Sequence, residues 1–384
     1  MLKCYLMKIL QIIYESTDSP FGFGGAGIRA YEIYRRLMNR HEVTLLCMKY
    51  PGARDGYHEG LRHVFVGIQS AHLTASVFAY TLKAMLYVIR HGGDFDVIVE
   101  NFLPSTPFFA RYLTSTPVIL QVQGIMEKHA ILKFNPLYSV PMYGVEQFYP
   151  GLYDRLIFVS EVTMAKVTSR MNKKHPNCIV IPNGTDLELL NTAEDNRSDK
   201  EAGDNDYILF FSRIDTYTKG LDLLMRAFEE ISPRYPTLRL ILAGHETDPV
   251  ARLCKDLSPS VRQKVTYAGF VGGDEKRRLL SGARLFVLPS RHESSPISII
   301  EAAACGKAIV VSDIGELAFV QRHRMGLSFR SGDHKALSAV VSRLLDDTSL
   351  RLSLGAAARD YAQTLLWDNI ALTFEDYLAS VIAS

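Results

Sequence analysis

Short, nearly continuous apolar runs alternate with amphipathic helical patterns along the whole sequence, and this alternation restricts the fold more than any other feature. In the first half the runs are MKILQIIY (7–14), EVTLLC (42–47), VFVGI (64–68), DVIVEN (96–101), PVILQVQ (117–123) and RLIFVSE (155–161). In the second half they are YILFFSR (207–213), LRLILAG (238–244), KVTYAGF (264–270), RLFVLPS (284–290) and AIVVSD (308–313). Helical patterns such as GIRAYEIYRRLMNR (27–40), LDLLMRAFEEI (221–231) and ISIIEAAAC (297–305) lie between them. Strands that are apolar on both sides must be covered on both faces, which predicts parallel sheets layered between helices. The polar stretch TAEDNRSDKEAGDND (192–206), with six acids and two bases, reads as a solvated loop just inside the second series. A chain of 384 residues, 47% hydrophobic, is long enough for two cores. The expectation is two doubly wound α/β domains, residues 1–177 and 178–362.

Charge and cysteine usage narrow the class. The five cysteines (4, 47, 178, 254, 305) are dispersed without a C-x-x-C pair, which argues against a disulfide framework or a zinc site and fits a reducing cytoplasm. The opening MLKCYLMKILQII runs into a strand pattern and is too short for a secretory signal. HLTASVFAYTLKAMLYVIR (72–90) carries Lys83 and Arg90, so it reads as a helix that is buried or surface-associated and not as a bilayer span. Residues 1–180 hold 19 Lys and Arg against 13 Asp and Glu, and the remainder 24 against 28. A basic first half suits peripheral contact with an anionic membrane, placing the chain in the cytoplasm at the inner face, although such an imbalance also arises by chance. No basic-aromatic module points to nucleic acid.

Ligands of open α/β sheets bind beyond the carboxyl ends of the strands. In RHESSPISIIEAAACGKAIVVSD (291–313) a strand ends at Ser290, Ser294 or Ser295 is the expected N-cap, and Pro296 suits the first helical turn. Free amides around Ser295, Pro296 (which itself has none) and Ile297 would then welcome a phosphate. Glu293 and Glu301 flank that point, and a carboxylate is a good acceptor for the vicinal hydroxyls of a ribose or hexose. In FFSRIDTYTKGLDLLMRAF (210–228) Arg213 ends a strand and Lys219 precedes Gly220 at a helix start. Two cations and a helix N-terminus neutralise a diphosphate without metal.

R-x5-K-G-x-D-L-L followed by H-E-S-S-P-x4-E-A-x3-G resembles retaining glycosyltransferase family 4, with FVSE (158–161), IPNGTD (181–186), LAGH (242–245) and GFV (269–271) agreeing in order. The resemblance implies a GT-B fold: two Rossmann-like domains facing across a cleft, with the C-terminal helix (363–384) crossing back to the first domain. It further implies that Arg213 and Lys219 hold the donor diphosphate, that Glu293 contacts the transferred sugar, and that Glu301 takes the ribose. Ser295, Pro296, Ile297, Gly244 and Asn183 complete the donor site, and Gly24 and Gly25 approach the phosphate from the first domain. The expected partners are a nucleotide-sugar donor and a glycan or lipid-linked acceptor, with no metal or other cofactor.

Family members commonly carry a His at the end of the strand PVILQVQ; here the position is Gln123, which cannot take a proton. His129 is a substitute, weighed against its reading as a loop histidine. On a retaining front-face route the leaving phosphate takes the acceptor's proton, so catalysis is electrostatic and positional. Two other readings stay open: a nucleotide-sugar 2-epimerase of the same architecture, and a catalytically weak partner subunit. Asp94-Phe95-Asp96 matches a D-x-D metal motif but precedes its strand, at the wrong end of the sheet for a ligand. In FGFGGAG (21–27) the G-x-G-x-x-G spacing is coincidental, because STDSPF separates it from the strand and no acid ends the second strand.

Overall fold

The computed structural model describes residues 6–126, 135–171, 177–195, 206–245 and 248–384. The chain forms two compact units, Met1–Pro182 with Trp367–Ser384, and Asn183–Leu366. The boundary expected at 177/178 moves to 182/183, because Asn177–Val180 pairs with Arg155–Phe158 and belongs to the first sheet. The second boundary moves from 362/363 to 366/367. Both crossings meet inside the second unit, where Thr185 N donates to Leu365 O at 2.8 Å and Thr185 bridges to Leu366.

In the first unit eight strands, β1 (Lys8–Ile12), β2 (Glu42–Met48), β3 (Gly56–His58), β4 (Leu61–Val66), β5 (Val97–Asn101), β6 (Val118–Val122), β7 (Arg155–Phe158) and β8 (Asn177–Val180), pair in the order β3-β4-β2-β1-β5-β6-β7-β8. All neighbours are parallel except the β3–β4 hairpin. The central strands are buried along their length, as continuous apolar runs require. One face carries α2 (Leu73–His91) and, beyond it, α3 (Pro136–Phe148) and α4 (Glu161–Thr168), whose inner residues enter one core with Leu10, Ile98 and Leu120. α3 is not among the helical patterns read from the sequence. Asn135 caps it, accepting from Leu137 N at 3.0 Å, Pro136 opens it and Pro141 sits inside it.

Elsewhere in the unit, α1 (Gly25–Leu37) packs against the C-terminal helix, Trp367–Ile382. Tyr34 meets Phe374 edge to face at 5.7 Å, Arg36 pairs with Asp368 at 2.7 Å, and Glu375 takes both His41 and Arg40. The returning helix thus belongs to the first unit, as the GT-B expectation requires.

The second unit has six parallel strands, β9 (Tyr207–Phe211), β10 (Arg239–Ala243), β11 (Val265–Gly269), β12 (Leu285–Leu288), β13 (Ile309–Ser312) and β14 (Gly326–Phe329), ordered β11-β10-β9-β12-β13-β14. The chain moves outward one way from β9 to β10 and the other way from β12 to β13, so the topological switch point lies between β9 and β12. Its helices of eight or more residues are α5 (Leu187–Asp195), α6 (Leu221–Ile231), α7 (Gly273–Gly282), α8 (Ile297–Ala304), α9 (His334–Asp346) and α10 (Thr348–Gln363). α6 shows the energetic logic: it buries Leu221, Leu223, Leu224, Met225, Phe228 and Ile231, each contributing roughly 1.5–3 kcal/mol. The polar stretch expected as a loop from 192 begins inside α5, and its residues 196–205 lie outside the described ones.

A fully buried carboxylate locks the first unit's core. Glu100, on β5, accepts from Tyr149 Oη at 2.5 Å, Tyr153 Oη at 2.6 Å and Ala110 N at 3.2 Å. Desolvation pushes its pKa up to about 7, opposed by these hydrogen bonds. The folded state therefore holds this proton more tightly than the unfolded chain does. The stabilisation is complete below pH 4.5 and is lost as pH rises through about 7, on the order of 3 kcal/mol. Urea unfolding at a series of pH values checks this: wild type should lose stability relative to Glu100→Gln across that window, and a difference independent of pH would contradict it.

Candidate donor site

The carboxyl ends of β9 and β12 part at the switch point, and the side chains with chemistry gather there. After β9 the chain turns through Arg213–Lys219, a loop built by buried Asp215. Its carboxylate accepts Thr218 N at 2.9 Å and pairs with Arg213 Nη2 at 3.2 Å, while its carbonyl accepts Lys219 N at 3.1 Å. Half of the Arg213 side chain stays exposed. Gly220 then starts α6 with φ +67°, and a Cβ there would lie 2.0 Å from Pro289 O, so only glycine lets the two loops approach this closely.

Lys219 reaches across this contact. Its Nζ donates to Glu293 Oε1 at 2.7 Å, and Ser290 Oγ donates to the same oxygen at 2.6 Å. Only 14% of the lysine side chain and 6% of the glutamate side chain are exposed, so the pair is largely desolvated and its geometry is fixed. A clamp behind it holds the two loops in register: Arg291 grips Asp222 with both terminal nitrogens at 2.7 Å, its N–H donates to Thr218 O, and its guanidinium lies 4.7 Å from the Tyr217 ring centroid.

α8 begins at Ile297 with Pro296 as its N-cap, and no side chain caps it. This corrects the expectation of a serine cap: neither Ser294 nor Ser295 fills the role. The Ser295 carbonyl is instead held by buried Asn183, whose Nδ2 donates to it at 2.7 Å. Glu301, inside α8 and 8% exposed, pairs through Oε1 with Lys276 Nζ of α7 at 2.7 Å. Gly244, just past β10, has φ +141°, and a Cβ there would fall 1.9 Å from Ser212 O; its carbonyl accepts Tyr267 Oη at 3.0 Å. Arg213, Lys219, Glu293, Ser295, Pro296, Ile297, Glu301, Gly244 and Asn183 thus all belong to the second unit.

Gly24, Gly25 and Gln123 belong to the first unit. Gly24 is the N-cap of α1, and the glycine loop expected to approach the donor phosphate holds a resident carboxylate. Buried Glu15 accepts from Gly24 N at 3.0 Å and from Gly27 N at 2.6 Å. Desolvation raises the Glu15 pKa, and these two amides oppose the rise. Gln123, just past β6, donates from Nε2 to Asn101 Oδ1 at 2.8 Å and to Ala26 O at 3.5 Å, bracing the ends of β5 and β6 against the first turn of α1. His129 lies outside the described residues. Asp94 and Asp96 precede β5, where Asp96 accepts Lys8 N at 2.7 Å and Asp94 pairs with His91.

Ser290, Asp215, the Arg291–Asp222 clamp, Lys276 and Glu15 were not found by sequence reasoning. Glu15, Lys276 and the Arg291–Asp222 clamp act through a partner in another segment, as with Lys276 and Glu301 on different helices, and such pairings leave no local pattern; Ser290 and Asp215 bond within their own loops, through turns that residue spacing does not mark.

The chain matches the model for Glycosyltransferase Family 4 over residues 23–189 and that for Glycosyl transferases group 1 over residues 205–347. It is similar to an uncharacterized glycosyltransferase of Methanocaldococcus jannaschii, 33% identical over 383 residues that cover 95% of this chain and 96% of the relative. Among solved structures, sucrose-phosphate synthase of Thermosynechococcus elongatus matches with a TM-score of 0.79 at 20% identity, covering 98% of this chain and 99% of that one. An Anabaena protein crystallised with UDP and glucose matches with a TM-score of 0.75 at 18% identity, covering 97% and 100%. With two parallel-sheet Rossmann-like units that carry the motifs in order, the chain belongs to glycosyltransferase family 4 and has the GT-B fold.

Proposed function

We propose that the protein is a retaining, metal-independent hexosyltransferase. It takes a nucleotide-diphospho-sugar as donor and a glycan or lipid-carried intermediate of surface polysaccharide assembly as acceptor. The observation that carries this reading is the desolvated Lys219–Glu293 pair beside Arg213 at the switch point of the second sheet. In this reading Lys219 and Arg213 stabilise the charge that a departing diphosphate develops, the role that a metal ion fills in other designs. The similar fold crystallised with UDP and glucose supports the choice of donor class.

In this mechanism the bond from the sugar's anomeric carbon to the phosphate oxygen breaks, and the acceptor hydroxyl attacks from the same face. Its proton passes to the leaving phosphate oxygen, so Gln123 is not required as a base. Glu293, held by Ser290, keeps an acceptor oriented for sugar hydroxyls, and Glu301 accepts from the ribose. Lys276 is a positioning residue: by holding Oε1 of Glu301 it aims the second carboxylate oxygen.

Lys219→Ala should lower kcat about 10²–10³-fold, measured as nucleoside diphosphate release from the donor; near-full turnover would remove the diphosphate assignment. Wild-type turnover should persist in EDTA, and the product should keep the donor's anomeric configuration by NMR. Lys276→Met should raise the donor KM by about tenfold, equivalent to about 1.4 kcal/mol, with kcat little changed and with Lys276→Arg restoring affinity. A fall in kcat at unchanged KM would assign Lys276 to the chemistry instead.

A further inference from the structure

The second unit gathers three cations on the edge of its sheet opposite the donor site. Asp206, Arg284 and Lys307 stand just before the starts of β9, β12 and β13. Asp206 accepts from Arg284 Nη1 at 2.6 Å and from Thr237 Oγ1 at 2.5 Å. Arg284 Nη2 donates to Leu345 O at 2.9 Å, which sets the guanidinium at the junction of α9 and α10. Lys307 Nζ donates to Ser281 O near the end of α7. The third cation, Arg351, lies in the first turn of α10. Gly355, one turn further on, lets α10 lie against the Gly306 turn, since a Cβ there would fall 2.2 Å from Gly306 O. Arg351 is thereby held close enough to Arg284 and Lys307 for the charges to act on one another. Burial, and after it Arg284, lowers the pKa of Arg351; burial takes that of Lys307 down to about 8, with Arg351 adding to the fall.

On its own this grouping works against the fold. A cation in the first turn of a helix opposes the macrodipole. The Nε of Arg351 is buried and has no hydrogen-bond partner among the described residues, and Nη2 reaches only Thr348 Oγ1, at 3.4 Å. Acids close by in sequence are engaged elsewhere: Asp346 takes Arg234 and Tyr235, and Asp347 caps α10 by accepting Leu350 N. Arg284 already holds Asp206. An oxyanion would answer all of this together. It offsets the excess positive charge, accepts from the Arg351 guanidinium and sits at the positive end of the α10 dipole.

We infer that Arg351, with Arg284 and Lys307, forms a second anion site, which takes a phosphate group at the amino edge of the second sheet. Arg351 supplies the donors, and Arg284 and Lys307 supply charge. The inference is independent of the proposed function, because none of these residues belongs to the donor site.

Calorimetry and thermal shift of the full chain test it, with inorganic phosphate and glucose 6-phosphate as probes and sodium chloride of equal ionic strength as control. The melting temperature of wild type should rise with either probe beyond the chloride control, and the tighter of the two tells free phosphate from a phosphate ester. Arg351→Gln should weaken binding about tenfold. Without phosphate this variant should be at least as stable as wild type, because a repelled charge has been removed. Arg351→Lys, which keeps the charge and loses the planar fork, should fall between the two. Arg213→Ala, which removes a cation of the donor site, should leave this binding intact. Absence of any phosphate effect beyond chloride would overturn the inference. So would a phosphate effect that Arg213→Ala abolishes and Arg351→Gln leaves unchanged, because the anion would then sit in the donor site. A phosphate-free Arg351→Gln variant that is less stable than wild type, with its phosphate response unchanged, would make Arg351 a structural residue and overturn it too.

Discussion

Parallel pairing governs this molecule. It forces every strand of the second sheet to end on the same edge, and it forces each return to the opposite edge through a helix. Where the order reverses, between β9 and β12, two loops leave in different directions and open a crevice that the sheet itself cannot fill. The sequence brings those loops as close as backbone allows, with Gly220 abutting Pro289 O; beside them Gly244, past β10, abuts Ser212 O. The Lys219–Glu293 pair and the Arg291–Asp222 clamp become possible only because of that approach.

Such a pair is weak evidence for stability. Taking both charges out of water costs several kcal/mol per ion, and apolar residues of similar volume often do as well. Lys219 and Glu293 make more sense as groups held ready for a ligand that carries negative charge on one part and hydroxyls on another. The same reasoning fits Lys276 and Glu301 on neighbouring helices. In the first unit Glu15 plays a different part: it occupies the start of α1 and satisfies amides that a bare glycine loop would leave open.

Much of this was legible in the sequence because burial on both faces writes a continuous apolar run. The central strands and α6 stand where the patterns put them. β3, β8 and β14 were missed because each is short, at a sheet edge and only partly buried, so neither alternation nor an unbroken apolar run marks it. α3 was missed because Pro141 interrupts its helical pattern. In the candidate site, Arg213, Lys219, Glu293 and Glu301 were singled out from their places at strand ends and helix starts and from the family resemblance. Lys276, Asp222 and Glu15 were not, because their meaning lies in a partner that only tertiary structure brings near. Capping chemistry misled at Ser294 and Ser295, where the chain uses Pro296 and spends the Ser295 carbonyl on Asn183.

The most direct test of the central claim is a crystal structure with bound nucleoside diphosphate, chosen from a panel by thermal shift. The account predicts phosphate oxygens within hydrogen-bonding distance of Arg213 and Lys219, and ribose hydroxyls on Glu301. A nucleotide seated away from the β9–β12 switch point, with Lys219 still bonded to Glu293 alone at saturation, would contradict it.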